Sequence, residues 1–321
     1  MKQKIRGFLN GLLLLLPVLV ILMDLALHKF LPDKEAGVPT HVYSVVLIAL
    51  AVIYLAFILT PKLRNFTMQR VRYQAPILSV VFLLFGAWDI ATLKYGLLPL
   101  PYFPAPEKTI YALIQDWSAL SVSFVYSIRL EFLGYILGAS AGLITGVLVG
   151  WSRRGNYWLN PVIKLFGPIP ATVWIPFVLV LIPQPFVASV ILVALAVWFP
   201  VAVLTSSGIA NVSKSYYEVA RTLGADEKYL VLKVAIPAAG PTIFLSLYAG
   251  IATSFAALIA AEMIGAKAGL GWYINWHKGW GEYYKVYAGL FVLGLLSTSV
   301  VYIVLKSKDR FLGWQKGLIR W

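Results

Sequence analysis

Eight stretches of mostly apolar residues, each near twenty long, recur along this chain and restrict its fold more than any other feature. They fall at roughly 8–28, 43–61, 75–94, 125–150, 160–182, 186–206, 241–262 and 286–305. A membrane-spanning helix needs about 20 such residues. Soluble proteins carry about 25% charged residues, whereas here 12% are charged and 60% are hydrophobic. The expected fold is therefore all-α, a polytopic helical membrane protein of eight spans.

The first stretch follows Lys2, Lys4 and Arg6, as in a signal peptide, but no small-residue cleavage site follows it and the apolar run is long. It reads as a retained first span. With the N-terminus placed in the cytoplasm, 19 of the 27 Lys and Arg residues fall on that side and 8 on the other. This positive-inside bias puts both termini and the 207–240 loop in the cytoplasm. The net charge of +14 is spread over these loops, so it implies no nucleic acid. The absence of cysteine excludes disulfides and thiol chemistry, and His28, His41 and His277 are too dispersed for a metal motif. No catalytic or metal-binding residue is expected.

Several segments carry local patterns. Ile110, Leu113, Ile114 and Trp117 recur at helical spacing after a Pro-rich entry, which predicts a short helix lying in the membrane interface. Trp272, Tyr273, Trp276, Trp280, Tyr283 and Tyr284 cluster as in an aromatic belt. Gly134, Gly138, Gly142, Gly146 and Gly150 recur at every fourth position, a smooth stripe that lets a neighbouring helix approach closely. Asp24, Asp89, Arg129, Glu131 and Glu262 lie within or beside spans. An Asp or Arg at a span centre costs about 2.5–3.5 kcal/mol, so these five are expected near the outer ends, solvated by the interface.

The interval Tyr216–Pro241 is the most charged run between two spans and reads as a helix pair. Ser213 or Ser215 is expected to cap a first helix, with Glu218 reaching back in a capping box. Gly224 suits the left-handed residue that ends it. Asp226 is expected to cap a second helix over 227–235, which Pro237 halts for want of an N–H. Pro241 suits the first turn of the next span.

Glu218-Val219-Ala220, Gly224 and Val234-Ala235-Ile236-Pro237 resemble the coupling loop of bacterial ABC importer permeases, E-A-A, three residues, G, nine residues, I-x-L-P. Phe103–Pro106, Ser127–Arg129, Gly167–Pro170, Trp174–Pro176, Ala261–Gly265, Gly269–Gly271 and the terminal Arg320-Trp321 are similar to the branch that handles nitrate, sulfonates, taurine and bicarbonate. The likeness covers about residues 97–321. It divides the chain into two additional N-terminal spans and a loop, 1–74, and a six-span transport domain, 75–321.

The resemblance implies a permease subunit of the bacterial inner membrane, pairing as a homodimer, with solute delivered by an extracytoplasmic binding protein. Glu218, Ala220, Arg221, Gly224, Ala225, Ile236 and Pro237 would contact a separate ATPase subunit. ATP and Mg would be held there, since this chain has no GxxxxGK[ST] loop. Thr172, Trp174, Trp198, Thr253 and Ser254 are polar or aromatic residues in core spans that would line the pathway of a small solute, an anion by the family's habit. An ion-driven carrier would need buried acids near the midplane, an intramembrane enzyme an acid pair or clustered His, and a scaffold only the docking loop.

Overall fold

A computed structural model describes residues 2–34, 41–59 and 67–311, so the terminal Arg320-Trp321 lies outside the described residues. Every regular element among the described residues is helical. The contacts gather them into two compact units, Met1–Trp117 with His277–Ala288 and Ser118–Trp276 with Gly289–Trp321.

The first unit is built on α1 (Lys2–Phe30), α2 (Val42–Leu59) and α3 (Thr67–Asp89), which runs on through a π-helical turn at Ile90–Lys94. Ile21, Tyr43, Leu47 and Ala51 form its apolar centre, with Phe82 and Ile110 packed against them. The helix expected in the interface is present as α4 (Pro106–Gln115). Its apolar side is only partly used: Ile114 is exposed, while Glu107 turns inward and is fully buried. Both Glu107 oxygens accept backbone N–H groups at the start of α2, Val42 at 2.7 Å and Tyr43 at 2.8 Å. A carboxylate is favoured there, where a helix presents free N–H groups.

The second unit is organised by α5 (Trp117–Trp151), α8 (Pro185–Ala210) and α12 (Gly240–Ile264). The five glycines of α5 all face α8. A Cβ at Gly134 would meet Val193, one at Gly142 would lie 2.7 Å from Val201, and one at Gly150 would lie 2.6 Å from the Ser206 carbonyl. Both residue numbers rise together, so α5 and α8 run parallel. Ser127 pairs with Glu262, Glu131 with Ser254, and the Tyr135 hydroxyl with the Leu247 carbonyl. Those numbers run in opposite senses, so α12 is antiparallel to α5. At 35 residues, α5 is about 52 Å long, more than a hydrocarbon core of about 30 Å.

Seven of the expected spans are continuous helices, but the stretch at 160–182 is not. It is split between α6 (Arg153–Phe166) and a 3-10 turn at Ala171–Trp174 leading into α7 (Ile175–Leu181), bent by 85°. The cause is Gly167-Pro168-Ile169-Pro170, in which two residues lack an N–H and Pro170 itself is extended, with φ −55° and ψ 137°. Parallel α5 and α8 nevertheless require the chain to recross between them. The broken pair makes that return: Gly155 lies against Leu148, Gly167 against Phe199, and Ile175 and Val178 against Ala188 and Leu192. Among the described residues there are thus seven continuous spans and, with the broken pair taken as one, eight.

After α12 come α13 (Leu270–Gly279) and α14 (Tyr283–Phe311). The aromatic cluster is not uniformly a belt. Tyr273 is buried, Trp272 and Trp276 stack with centroids 5.6 Å apart, and Trp276 and Trp280 are exposed.

Candidate functional site

The interval between α8 and α12 is a folded piece. α9 (Lys214–Thr222) ends at Leu223, and Gly224 takes a left-handed φ of +86°. The Gly224 N–H bonds the Arg221 carbonyl at 2.9 Å and the Ala225 N–H bonds the Ala220 carbonyl at 3.1 Å, so two otherwise free carbonyls are satisfied. Asp226 then accepts from the Tyr229 N–H at 2.8 Å and opens α10 (Glu227–Tyr229).

Two details differ from the expected caps. Ser213 stands at the N-cap of α9 without a side-chain capping bond, its hydroxyl pairing instead with that of Ser215 at 2.8 Å, and Glu218 is exposed with no capping box formed. Nor does Pro237 halt the second helix. A π-helical turn, Leu230–Ala235, follows α10, the Ile236 N–H reaches back to Val231, and α11 (Ile236–Ala238) runs on toward α12. The widened turn takes up the missing proline N–H.

Leu230 and Ala235 are fully buried, and Ala235, Ala239 and Ile209 form a small core with Val147, Trp151, Tyr217 and Ile236 against it. The helix pair is therefore seated on the ends of α5 and α8. Its outer side carries a groove of about 820 Å³ lined by Val219, Ala220, Leu223, Gly224 and Tyr229 together with the charged Asp226 and Lys233. Leu223 is 82% exposed there. Arg221 is spent on a surface ion pair with Glu227 at 3.1 Å, and Pro237 is exposed.

A second cavity of about 1030 Å³ lies where the break after α6 meets α5, α8 and α12. Thr172, Trp174, Trp198 and Thr253 all line it, beside Phe166 and Phe199. Its polar groups are partly committed: the Trp198 indole donates to Thr145 at 3.1 Å, and the Thr253 hydroxyl donates to the Ala196 carbonyl at 2.8 Å. No charged residue lines it. Ser254 does not belong here. It is fully buried on another face of α12, 2.5 Å from a Glu131 oxygen.

That contact overturns a second expectation. Of the five ionisable residues placed near solvated span ends, only Arg129 is exposed. Asp24, Asp89, Glu131 and Glu262 are at most 2% exposed. Glu262 accepts from the Ser127 hydroxyl and the Gly271 N–H, both at 2.7 Å, while the Leu270 N–H bonds Ser127 at 2.8 Å. Glu262 and Ser127 thus bind the first N–H groups of α13. Buried acids exist after all, so their supposed absence gives no ground for setting aside an ion-driven carrier. Nothing in hydropathy marked these positions. The nearest signal was Ser127 four residues before Glu131, on one face of α5.

Comparison with known proteins supplies the class that this arrangement serves. The family described as binding-protein-dependent transport system inner membrane component matches residues 134–312. The chain belongs to that family and is an ABC transporter permease. Its relatives include a putative aliphatic sulfonates transport permease protein, SsuC, of Bacillus subtilis, 30% identical over 59% of this chain and 68% of that one. The bicarbonate transport system permease protein CmpB of Synechococcus elongatus is 31% identical over 59% of this chain and 64% of its own. The nitrate import permease protein NrtB of the same organism is 26% identical over 62% and 70%. A solved structure titled as an inward facing conformation of the MetNI methionine ABC transporter aligns at 20% identity over 67% of this chain and 99% of its own, with TM-score 0.46.

Proposed function

We propose that this chain forms the solute pathway of an ATP-driven importer of the bacterial inner membrane, together with a second copy of itself. A separate ATPase hydrolyses ATP with Mg, and an extracytoplasmic binding protein delivers the solute. Both termini and the α9–α11 loop face the cytoplasm, as the bias of 19 cationic residues against 8 favours. Residues 75–321 are the transport domain, to which 1–74 are added.

One observation carries the reading: the α9–α11 pair is seated on the ends of α5 and α8 and offers a groove outside the spans in which exposed Val219, Leu223 and Tyr229 stand beside Asp226 and Lys233. Exposed apolar surface of that kind marks a protein contact. ATPase closure would push on Val219, Ala220 and Gly224, and the seated helices would pass the motion to the spans. The cavity at Thr172, Trp174, Trp198 and Thr253 is the pathway. Its uncharged, aromatic lining suits a solute with an apolar part, such as an aliphatic sulfonate, better than nitrate or bicarbonate, since an inorganic ion would lose hydration there without a countercharge.

The test is reconstitution with candidate ATPase subunits and binding proteins. ATP-dependent, binding-protein-dependent uptake of hexanesulfonate is expected. Uptake driven by an ion gradient without ATP would refute the importer, and ATP-driven uptake of nitrate but not of sulfonates would refute only the substrate class.

A further inference from the structure

Buried in the first unit is a knot of charged groups from four helices, and the transport reading uses none of it. His28 on α1 places Nδ1 2.9 Å from Asp89 Oδ2 on α3 and Nε2 3.7 Å from Glu107 Oε2 on α4. Asp24, one turn earlier on α1, accepts the Tyr43 hydroxyl of α2 at 2.6 Å, and the Tyr43 ring stands edge-on to His28 at 5.1 Å. Lys94 is spent on the end of α1, donating to the His28 and Leu31 carbonyls and to Asp33 at 2.5 Å. Asp24, His28, Asp89, Lys94 and Glu107 are each at most 5% exposed. One oxygen of Asp24 and one of Asp89 are buried with no hydrogen-bond partner.

The charge balance turns on a single proton. Asp33 answers Lys94, which leaves three carboxyl groups, Asp24, Asp89 and Glu107, facing one imidazole. When His28 is an imidazolium, both ring N–H groups point at carboxylates. When it is neutral, one N–H remains, a bare nitrogen faces Glu107, and the enclosed acids lose their nearest countercharge. Burying an unpaired charge is costly. Burial already pushes the Glu107 carboxyl above its ordinary range, against the pull of the Tyr43 and Val42 N–H groups and of His28.

We propose that the first two spans are fastened to α3 and α4 by a proton-operated clasp centred on His28, closed when His28 is protonated and loosened when it is not. The same carboxylate that faces His28 holds the start of α2, so loosening at Glu107 frees α2 and α4 together. This assigns the two additional spans a task, making the position of α4 depend on pH at the membrane face where α1 ends.

The chain has no cysteine, so spin labels can be placed without background, at Val45→Cys on α2 and Leu84→Cys on α3, both more than 60% exposed. Their distance distribution, measured by pulsed electron resonance in nanodiscs, needs neither ATPase nor solute and therefore stands apart from the transport reading. A narrow distribution at pH 5.5 and a broadened, reversible one at pH 8.5 are expected. His28→Gln should show the broad form at both pH values. Asp89→Asn, which removes the carboxylate paired with His28 Nδ1 and so disfavours the imidazolium, should likewise show the broad form at both. A distribution that does not change with pH, or a pH response that survives in either variant, overturns the clasp.

Discussion

Glu131 and Glu262 occupy the same two-helix seam, yet their surroundings ask for different chemistry. Ser254 lies 2.5 Å from Glu131 Oε1 and 2.8 Å from the Ile251 carbonyl, and Glu131 Oε2 has no partner. The Ser254 hydroxyl is placed to donate to Glu131 or to the Ile251 carbonyl, and its one hydrogen leaves Glu131 with a single shared donor. Glu262 instead receives two donors at the positive end of α13, an arrangement suited to an anion. Glu131→Gln should therefore cost little, within about 1 kcal/mol, because the amide oxygen still accepts from Ser254. Glu262→Gln turns an NH2 toward one of two buried donors and should cost about 1–3 kcal/mol. Thermal unfolding of the purified variants in detergent checks the order, and an equal or reversed loss would contradict it. Residue environments of this kind were the least legible in the sequence. Ser254 read as a pathway group because hydroxyls in spans invite that role, but its direction depends on which face of α12 meets α5. Hydropathy does not encode that.

At the scale of elements, the glycine stripe and the loop turn make opposite demands on a side chain. Gly142 has no room: a Cβ there would lie 2.7 Å from Val201 and 2.9 Å from the Trp198 carbonyl. Gly142→Leu must separate α5 from α8 and should abolish the monodisperse folded protein on size exclusion. Gly294→Ala on α14, where a Cβ would meet nothing within 4 Å, should be neutral or gain up to about 1 kcal/mol from helix propensity. Gly224 has ample room but a φ of +86°. Gly224→Val is strained by backbone alone, since a β-branched residue rarely takes that region. It should leave insertion and folding intact while uncoupling ATP hydrolysis from uptake; wild-type uptake per ATP would remove Gly224 from the coupling mechanism. Gly224 and Asp226 were legible because turn chemistry is local. The run through Pro237 was not, because a π-helical turn is indistinguishable in sequence from an ordinary turn followed by a stop.

For the whole molecule, the spans and the all-helical class were legible, because lipid leaves an open chain few ways to satisfy its backbone. The number of crossings was legible too, but not the form of the fifth. Counting apolar residues across 160–182 passes over Gly167-Pro168-Ile169-Pro170 without registering a break. The buried cluster that joins the first helices to α3 and α4 was also hidden, since Asp24, His28, Asp89 and Glu107 are up to 83 residues apart in sequence and meet only when folded.

The broken crossing has a consequence for solvent. Non-helical backbone at membrane depth persists only where it is enclosed by protein or lines a water-filled space. Gly167 and residues 169–172 lie along the wall of the 1030 Å³ cavity. Because this stretch of backbone lines a cavity and is not packed over, water is expected to enter that otherwise oily chamber at the break. In a deuterium-exchange map, the amides of Ala171 and Thr172 should label rapidly, a bright gap between slow-exchanging α5 and α8, while Gly167 and Ile169, bonded to the Ile163 and Phe166 carbonyls, label more slowly. Protection there equal to that of α8 would mean that the chamber is dry.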